Sequence, residues 1–104
     1  MARHPKVKLD RLRDIGWQLW DPIGLLEPGA DWRSAGFADE YDTYLLHAAG
    51  MVRNGAPVSA IAAYLYWVET EHIGLGESEA THARIDVVVQ ALMTASLWTE
   101  PGDA

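Results

Sequence analysis

The fold is decided by residues 57–72, which have the sequence PVSAIAAYLYWVETEH. Apolar side chains cover most of the circumference of this segment when it is plotted at about 100° per residue. Pro57 suits the first position of a helix, and Gly74 is a typical stop after its last turn. A helix that is apolar nearly all round is usually buried on several sides, so we expect a central helix here. Its predicted core stripe is Val58, Ile61, Ala62, Leu65 and Val68.

Three other segments carry helical periodicity, and no segment has a convincing strand pattern. The first is predicted over about residues 8–20 and ends before Pro22, because the residue before a proline is pushed out of the α region. Its buried arc contains Leu9, Leu12, Ile15, Leu19 and Trp20, together with Gly16, whose missing side chain would let another helix approach closely. The second is predicted from about residue 38 to Gly55, with the buried stripe Phe37, Tyr41, Tyr44, Leu45, Ala48, Met51 and Val52. The fourth is predicted from its cap Ser78 to about residue 97, with the buried stripe Ile85, Val88, Val89 and Leu92. The prediction is an all-α, single-domain bundle of about four helices.

The longest irregular stretch lies between the first two predicted helices, at residues 21–37. Its sequence, DPIGLLEPGADWRSAGF, has the glycine, proline and aspartate content of turns. It also holds large apolar side chains that a free linker would not carry, at Ile23, Leu25, Leu26, Trp32 and Phe37. Long loops of this kind are often functional. We expect an ordered loop that packs over the bundle.

Length and composition indicate one globular domain. The chain has 104 residues, of which 49% are hydrophobic and 22% charged. A basic arm over residues 1–7 and a flexible tail over residues 99–104 are expected at the ends. The absence of cysteine excludes disulfides and thiol chemistry and fits a reducing compartment. No apolar run approaches the roughly 18 residues of a membrane helix, so we expect a cytoplasmic protein with no membrane partner.

Charge is distributed unevenly along the chain. Residues 1–13 carry five basic residues and one acidic residue, whereas residues 14–104 carry three basic and fourteen acidic residues. An acidic body repels a phosphate backbone, so nucleic-acid binding through the folded domain is not expected. The same charge favours a basic protein partner, because opposite charges accelerate and orient the encounter.

Two Glu-x-x-His pairs flank the predicted turn between the last two helices, at Glu69/His72 and Glu79/His82. Di-iron bundles use this spacing, together with a glutamate from each of two other helices. Those additional glutamates are not evident at core positions here, so no metal or cofactor is assigned. No serine-hydrolase motif and no glycine-rich phosphate loop occurs, and no catalytic residue is assigned.

Glu69 falls among the core positions of its helix, so a largely buried carboxylate is expected. Such a group needs a hydrogen-bond donor or must stay protonated. The candidate donors are Arg13, Arg53, Arg84, a tyrosine hydroxyl or a tryptophan N–H. A structural link inside the bundle is favoured over a ligand-binding or catalytic role.

Five tryptophans are many for so short a chain, and exposed tryptophan is typical of interfaces. Trp20 fits a buried stripe, whereas Trp17 and Trp67 lie off the stripes of their helices. Either the loop and the other helices cover these rings, or at least one ring contacts a partner or a second copy. Asp39 and Asp42 are predicted to point away from the core of the second helix. The candidate binding residues are Trp17, Trp20, Asp21, Asp39, Asp42, Trp67, Glu69 and His72.

Four segments resemble a family of small uncharacterised bacterial proteins: WDPIG at 20–24, DEYDTYL at 39–45, IAAYL at 61–65 and the stretch 69–75. The similarity covers most of residues 9–92, and it implies an intact bacterial domain without carrying over an activity. The leading hypothesis is a non-catalytic protein-binding module of accessory or immunity type, with a basic partner. The alternatives are a metal- or small-ligand-binding protein with its site near Glu69 and His72, and a self-associating, homodimeric structural protein.

Overall fold

The computed structural model describes residues 6–27, 29–95 and 97–99. The prediction of an all-α bundle of four helices is confirmed for this part of the chain. The helices are α1 (Leu9–Ile15), α2 (Asp42–Arg53), α3 (Val58–Trp67) and α4 (Glu79–Thr94). Two of them continue directly into π-helical segments, α1 into Gly16–Trp20 and α3 into Val68–His72. Among the described residues, no helix combines the length and the apolar character that crossing a membrane requires.

The centre of the bundle is α4, which packs against α1, α2 and α3. Its buried stripe is the predicted one, Ile85, Val88, Val89 and Leu92. Ser78 is the N-cap residue, and its backbone N–H donates to Thr81 Oγ1 at 2.9 Å. Thr81 thereby satisfies a backbone donor at the helix start, as in a capping box.

The prediction that residues 57–72 form the central helix is wrong. α3 packs against α2 and α4 and buries Ile61 and Leu65. Val58, which was assigned to the core stripe, is 43% exposed, and Trp67 is 49% exposed. The aromatic and alanine residues that make this helix apolar all round lie partly on the surface, so apolar composition overstated its burial.

Close approach of the first two helices depends on Gly16. A Cβ atom at this position would lie 2.5 Å from Leu45 Cδ1 in α2. Leu45 is itself buried, so the missing side chain is what allows this packing, as the sequence predicted.

The loop between the first helix and α2 is ordered in its described part and packs on the bundle, as predicted. It contains a short 3₁₀ helix, Trp32–Ser34. Trp32 is buried, and its Nε1–H donates to Asp14 Oδ1 of α1 at 2.6 Å. Residues 36–41 form turns, so α2 begins at residue 42, later than predicted.

The two ends of the described chain pair as two-residue strands. β1 (Lys6–Val7) runs antiparallel to β2 (Trp98–Thr99). Strands this short carry no alternation that a sequence pattern can detect, which is why none was predicted. The pairing includes positions assigned to the arm and to the tail, whereas residues 1–5 and 100–104 lie outside the described part.

Candidate functional site

A carboxylate is buried where the end of α3 meets α4 and the first helix. Glu69 is 1% exposed, as predicted. Its Oε1 accepts a hydrogen bond from Arg84 Nη2 of α4, and its Oε2 accepts one from Trp20 Nε1 at 3.3 Å. Both donors belong to the predicted set. The buried negative charge is therefore paired and hydrogen-bonded, which a charge in the interior requires.

Both Trp20 and Glu69 lie in π-helical segments. The wide turns are closed by i→i+5 bonds from Asp21 N to Gly16 O and from Ile73 N to Val68 O, each 2.7 Å long. A π turn changes the angular position of its side chains from that of an α-helix. This explains why Leu19, which was assigned to the buried stripe, is 38% exposed, whereas Trp20 is 2% exposed.

Asp21 organises the start of the loop. Its carboxylate accepts the N–H groups of Leu25 and Leu26, both at 3.0 Å, and the hydroxyl of Tyr41 at 2.8 Å. The Tyr41 hydroxyl in turn accepts the N–H of Ile23 at 3.1 Å. Asp21 has a positive φ of 29°, a strained backbone angle that these bonds hold in place.

The Tyr41 side chain is buried at 1% exposure. Burial is the main cause that raises the pKa of its hydroxyl, and the bond to Asp21 raises the pKa further. The neutral phenol is thus the form that the folded protein stabilises, and it donates to Asp21.

Trp17, Trp20 and Tyr41 form a buried aromatic cluster, and for Trp17 the alternative that the loop covers its ring is the one observed. Trp17 is 4% exposed, and its Nε1–H donates to Ala38 O at 3.0 Å. Its ring lies 5.3 Å from Phe37 and 4.8 Å from Tyr41, centroid to centroid. Residues 37–41 cover this ring, so neither Trp17 nor Trp20 presents its ring at the surface.

Of the two predicted acidic binding residues, Asp42 is engaged inside the protein. Its two carboxylate oxygens accept bonds from Arg13 Nε at 3.0 Å and Nη2 at 2.6 Å. The expectation that Asp42 leaves its charge available to a partner is wrong, because α1 packs against α2 and brings Arg13 to it. The pairing raises the pKa of Arg13. Asp39 precedes the helix and is exposed.

Five rings from α2, α3 and the π segment after α3 form a surface cluster, which we call the Trp67 surface. It consists of Tyr44, His47, Tyr64, Trp67 and His72. His72 stacks on Trp67 with centroids 5.1 Å apart, and Tyr64 lies 6.4 Å from Trp67. Burial is the main cause that raises the pKa of Tyr64. The contact of Tyr44 with Trp20, at 6.4 Å, joins this surface to the buried cluster.

The sequence analysis named Trp67 and His72 as candidate binding residues. It did not place Tyr44, His47 and Tyr64 on the same surface. Tyr44 had been assigned to the core stripe of the second helix, and it is half-buried. His47 lies 4.4 Å from Tyr64, centroid to centroid, across the α2–α3 contact. The sequence did contain a signal for this surface: Tyr44 and His47, like Tyr64 and Trp67, are three residues apart, which places each pair on one helical face.

The two Glu-x-x-His pairs do not converge. Glu69 is held by Arg84 and Trp20, whereas His72 is exposed on the Trp67 surface. His82 pairs with Glu77 at 2.6 Å, and its ring stacks on Tyr66 at 5.0 Å. Throughout the described ranges, no group of three or more histidine or acidic side chains is placed to hold a metal ion.

A groove of about 390 Å³ opens in the loop between the first helix and α2. Its apolar lining consists of Leu25, Leu26, Ala30, Ala35 and Phe37, and its polar lining of Glu27, Asp31 and Ser34. The length of the loop indicated a functional segment, but the groove depends on how the loop folds back on itself, which no periodicity reveals.

Four arginines are already engaged within the protein, whereas Arg11 of α1 is exposed. Arg13 pairs with Asp42 and Arg84 with Glu69, Arg33 lies 3.5 Å from an oxygen of Asp14, and Arg53 lies over the Trp98 ring. Exposed carboxylates are present at Asp39, Glu40, Glu71, Glu79 and Asp86. The described surface therefore presents mainly negative charge to a partner.

Residues from two of the segments that carry the predicted resemblance lie together at the buried aromatic cluster. Trp20 and Asp21 come from the WDPIG segment, Tyr41 comes from the DEYDTYL segment, and the Trp20 and Tyr41 rings lie 5.4 Å apart. The resemblance of these segments to small bacterial proteins stays a prediction. No family model, no curated protein and no solved structure matches the chain.

Proposed function

We propose that this protein is a non-catalytic binding module of accessory or immunity type, and that it docks a basic protein segment on the Trp67 surface. One observation carries the proposal. Trp67 is 49% exposed, whereas Trp17, Trp20 and Trp32 are at most 4% exposed. Leaving a large aromatic face in water is unfavourable, and rings of this kind are typical of the centres of protein interfaces.

Charge supports a basic partner. Arginine and lysine side chains bind to the faces of tryptophan and tyrosine rings. Glu71, the residue before His72 in the chain, is exposed and adds a negative charge to this part of the protein. Residues 14–104 carry fourteen acidic and three basic residues, so long-range attraction would accelerate the encounter with a cation and disfavour nucleic acid.

The two buried or half-buried carboxylates of this region have structural partners. Each oxygen of Glu69 and of Asp21 accepts at least one hydrogen bond from the protein. These bonds support a structural role for both groups, and the proposed binding is therefore assigned to the exposed rings. The lack of cysteine in the sequence fits the bacterial cytoplasm as the place of action.

The test is affinity capture from the parent cell with three baits: the unaltered protein, Trp67→Ala and Val87→Ala. Val87 is a matched control, because it is 50% exposed on α4 and outside the ring cluster. We expect the unaltered protein and Val87→Ala to retain a basic protein. Trp67→Ala should reduce retention by about tenfold or more, as interface tryptophans commonly do. Equal retention by Trp67→Ala would contradict the proposal.

Sedimentation of the purified protein tests the other occupant of this surface, a second copy of the chain. The proposal expects a monomer at micromolar concentration. If the protein is instead a dimer, and Trp67→Ala dissociates it whereas Val87→Ala does not, the occupant of the surface is a second copy of the chain and not a basic partner.

A further inference from the structure

We propose that the groove in the loop between the first helix and α2 is a binding site for a small amphipathic organic cation, an amine carried on an apolar body. The groove is separate from the residues of the Trp67 surface, so this inference does not rest on the proposed function. Its occupant is inferred from the size, the rigidity and the charge of the lining.

The size and the lining match a small-molecule site. The volume of about 390 Å³ lies within the range of small-ligand pockets, roughly 300–1,000 Å³. Five of the eight lining residues are apolar, and Leu25, Leu26 and Phe37 are the largest of them. An apolar ligand body gains by leaving water for such a surface.

Hydrogen bonds within the protein hold two parts of the groove wall. Leu25 and Leu26 donate their N–H groups to Asp21, which the buried Tyr41 hydroxyl holds in turn. On the other side, the 3₁₀ helix that carries Ser34 is anchored by the bond from Trp32 Nε1 to Asp14. A preformed site spends little binding free energy on ordering the loop.

The charge of the lining selects a cation. Glu27 and Asp31 are the two charged side chains that line the groove, and in the described part of the chain no lysine, arginine or histidine joins them. Arg33 lies 3.8 Å from Asp31, but it also lies 3.5 Å from Asp14 and 4.4 Å from the Trp32 ring centroid. Because Asp14 and Asp31 share this one cation, the groove with Glu27 keeps an excess of negative charge, which an ammonium group would balance.

The test uses three probes with the same phenyl ring and short chain: phenethylamine, 2-phenylethanol and phenylacetate. Binding is measured by titration into the ¹⁵N-labelled protein at low salt and pH 7. We expect phenethylamine to bind with a Kd in the millimolar range, as fragments of this size do, and to shift amides within residues 25–37. The alcohol should bind about three- to tenfold more weakly, and phenylacetate more weakly still, because rim carboxylates attract or repel the probe charge.

Two variants separate the apolar and the charged contributions. Glu27→Gln should lower the affinity for phenethylamine about three- to tenfold and leave that of the alcohol unchanged, whereas the exposed control Glu79→Gln should change neither. Ala30→Leu places a larger side chain in the groove and should weaken all three probes. The amide spectrum of each variant shows whether its fold is retained.

Three outcomes would overturn the inference. The first is no shift in residues 25–37 at 10 mM phenethylamine. The second is equal affinity for the cation and the anion, which would remove the role of Glu27 and Asp31. The third is a response to phenethylamine that Ala30→Leu leaves unchanged, which would place the probe elsewhere, for example on the Trp67 surface.

Discussion

Ring contacts through Tyr44 and His72 connect Trp20 to Trp67, but the environments at the two ends of this path are opposite. Trp20 closes the first helix, is 2% exposed and donates to the buried Glu69. Trp67 closes α3, is 49% exposed and stacks on His72 at the surface. The buried ring is part of a hydrogen-bonded core, whereas the exposed ring adds apolar area at the surface. Substitutions at the first end should therefore cost stability, and substitutions at the second should cost binding.

The largest effect is expected at the buried end, from Glu69→Leu. Removing the carboxylate leaves the Arg84 charge partly buried without its counter-ion, and breaking such a pair typically costs about 3–5 kcal/mol. The free energy of unfolding in urea should fall by somewhat less than that amount, because Arg84 is 29% exposed and water screens its charge. The double variant Glu69→Leu/Arg84→Leu should recover much of the loss. Glu71→Leu, at an exposed neighbouring position, is the control. If the effects of Glu69→Leu and Arg84→Leu simply add in the double variant, the two side chains are not coupled and the prediction is wrong.

A smaller, pH-dependent effect is expected from Tyr41→Phe. At pH 7 the variant should lose about 1–3 kcal/mol, because Asp21 and the Ile23 N–H each lose a partner. The pKa of Tyr41 is raised in the fold, so the native state keeps a proton that the unfolded chain releases above about pH 10. Stability from this group is complete below that pH, and it falls by about 1.4 kcal/mol per pH unit above it.

Urea unfolding between pH 7 and 11 checks the sign of this dependence. The unaltered protein should lose stability more steeply above pH 10 than Tyr41→Phe, so the two curves should approach each other. If the stabilities of the two proteins fall in parallel with pH, the fold does not stabilise the protonated form of Tyr41 and the prediction is wrong.

The smallest effect on stability is expected at the exposed end, from Trp67→Ala. Half of this side chain is in water, and its contacts are with exposed or half-buried rings, so the free energy of unfolding should change by about 0.5 kcal/mol or less. Thermal and urea unfolding measure it. A loss as large as that of Glu69→Leu would show that the Trp67 surface is part of the core and would remove the contrast between the two ends.

The sequence predicted the regular parts of the fold well. The buried stripe of α4, the cap at Ser78 and the stop near residue 74 all followed from ideal helical spacing and end signals. The burial of Glu69 and the types of its donors also followed, because a charge at a core position must be paired. These features depend on local chemistry or on a single helix, which is the information that one sequence contains.

The features that were missed depend on deviations from ideal spacing or on contacts between segments. The π turn at 16–20 moves Leu19 outward, and the periodicity of an α-helix does not include it. The role of Asp42 depends on Arg13, which is 29 residues away in the chain. Likewise, α3 was judged central from its apolar composition, although its aromatic face lies at the surface because no other described element covers Trp67.

The antiparallel pairing of residues 6–7 with residues 98–99 has a practical consequence for protein engineering. Because the chain enters and leaves the bundle at one point, the domain is suited to insertion into a surface loop of a host protein, where the two junctions must be close together. After such an insertion both ends of the domain are joined to the host chain, so no free terminus lies near the Trp67 surface or the loop groove. Fluorophores attached beyond the two strands would report, by energy transfer, whether the bundle is folded.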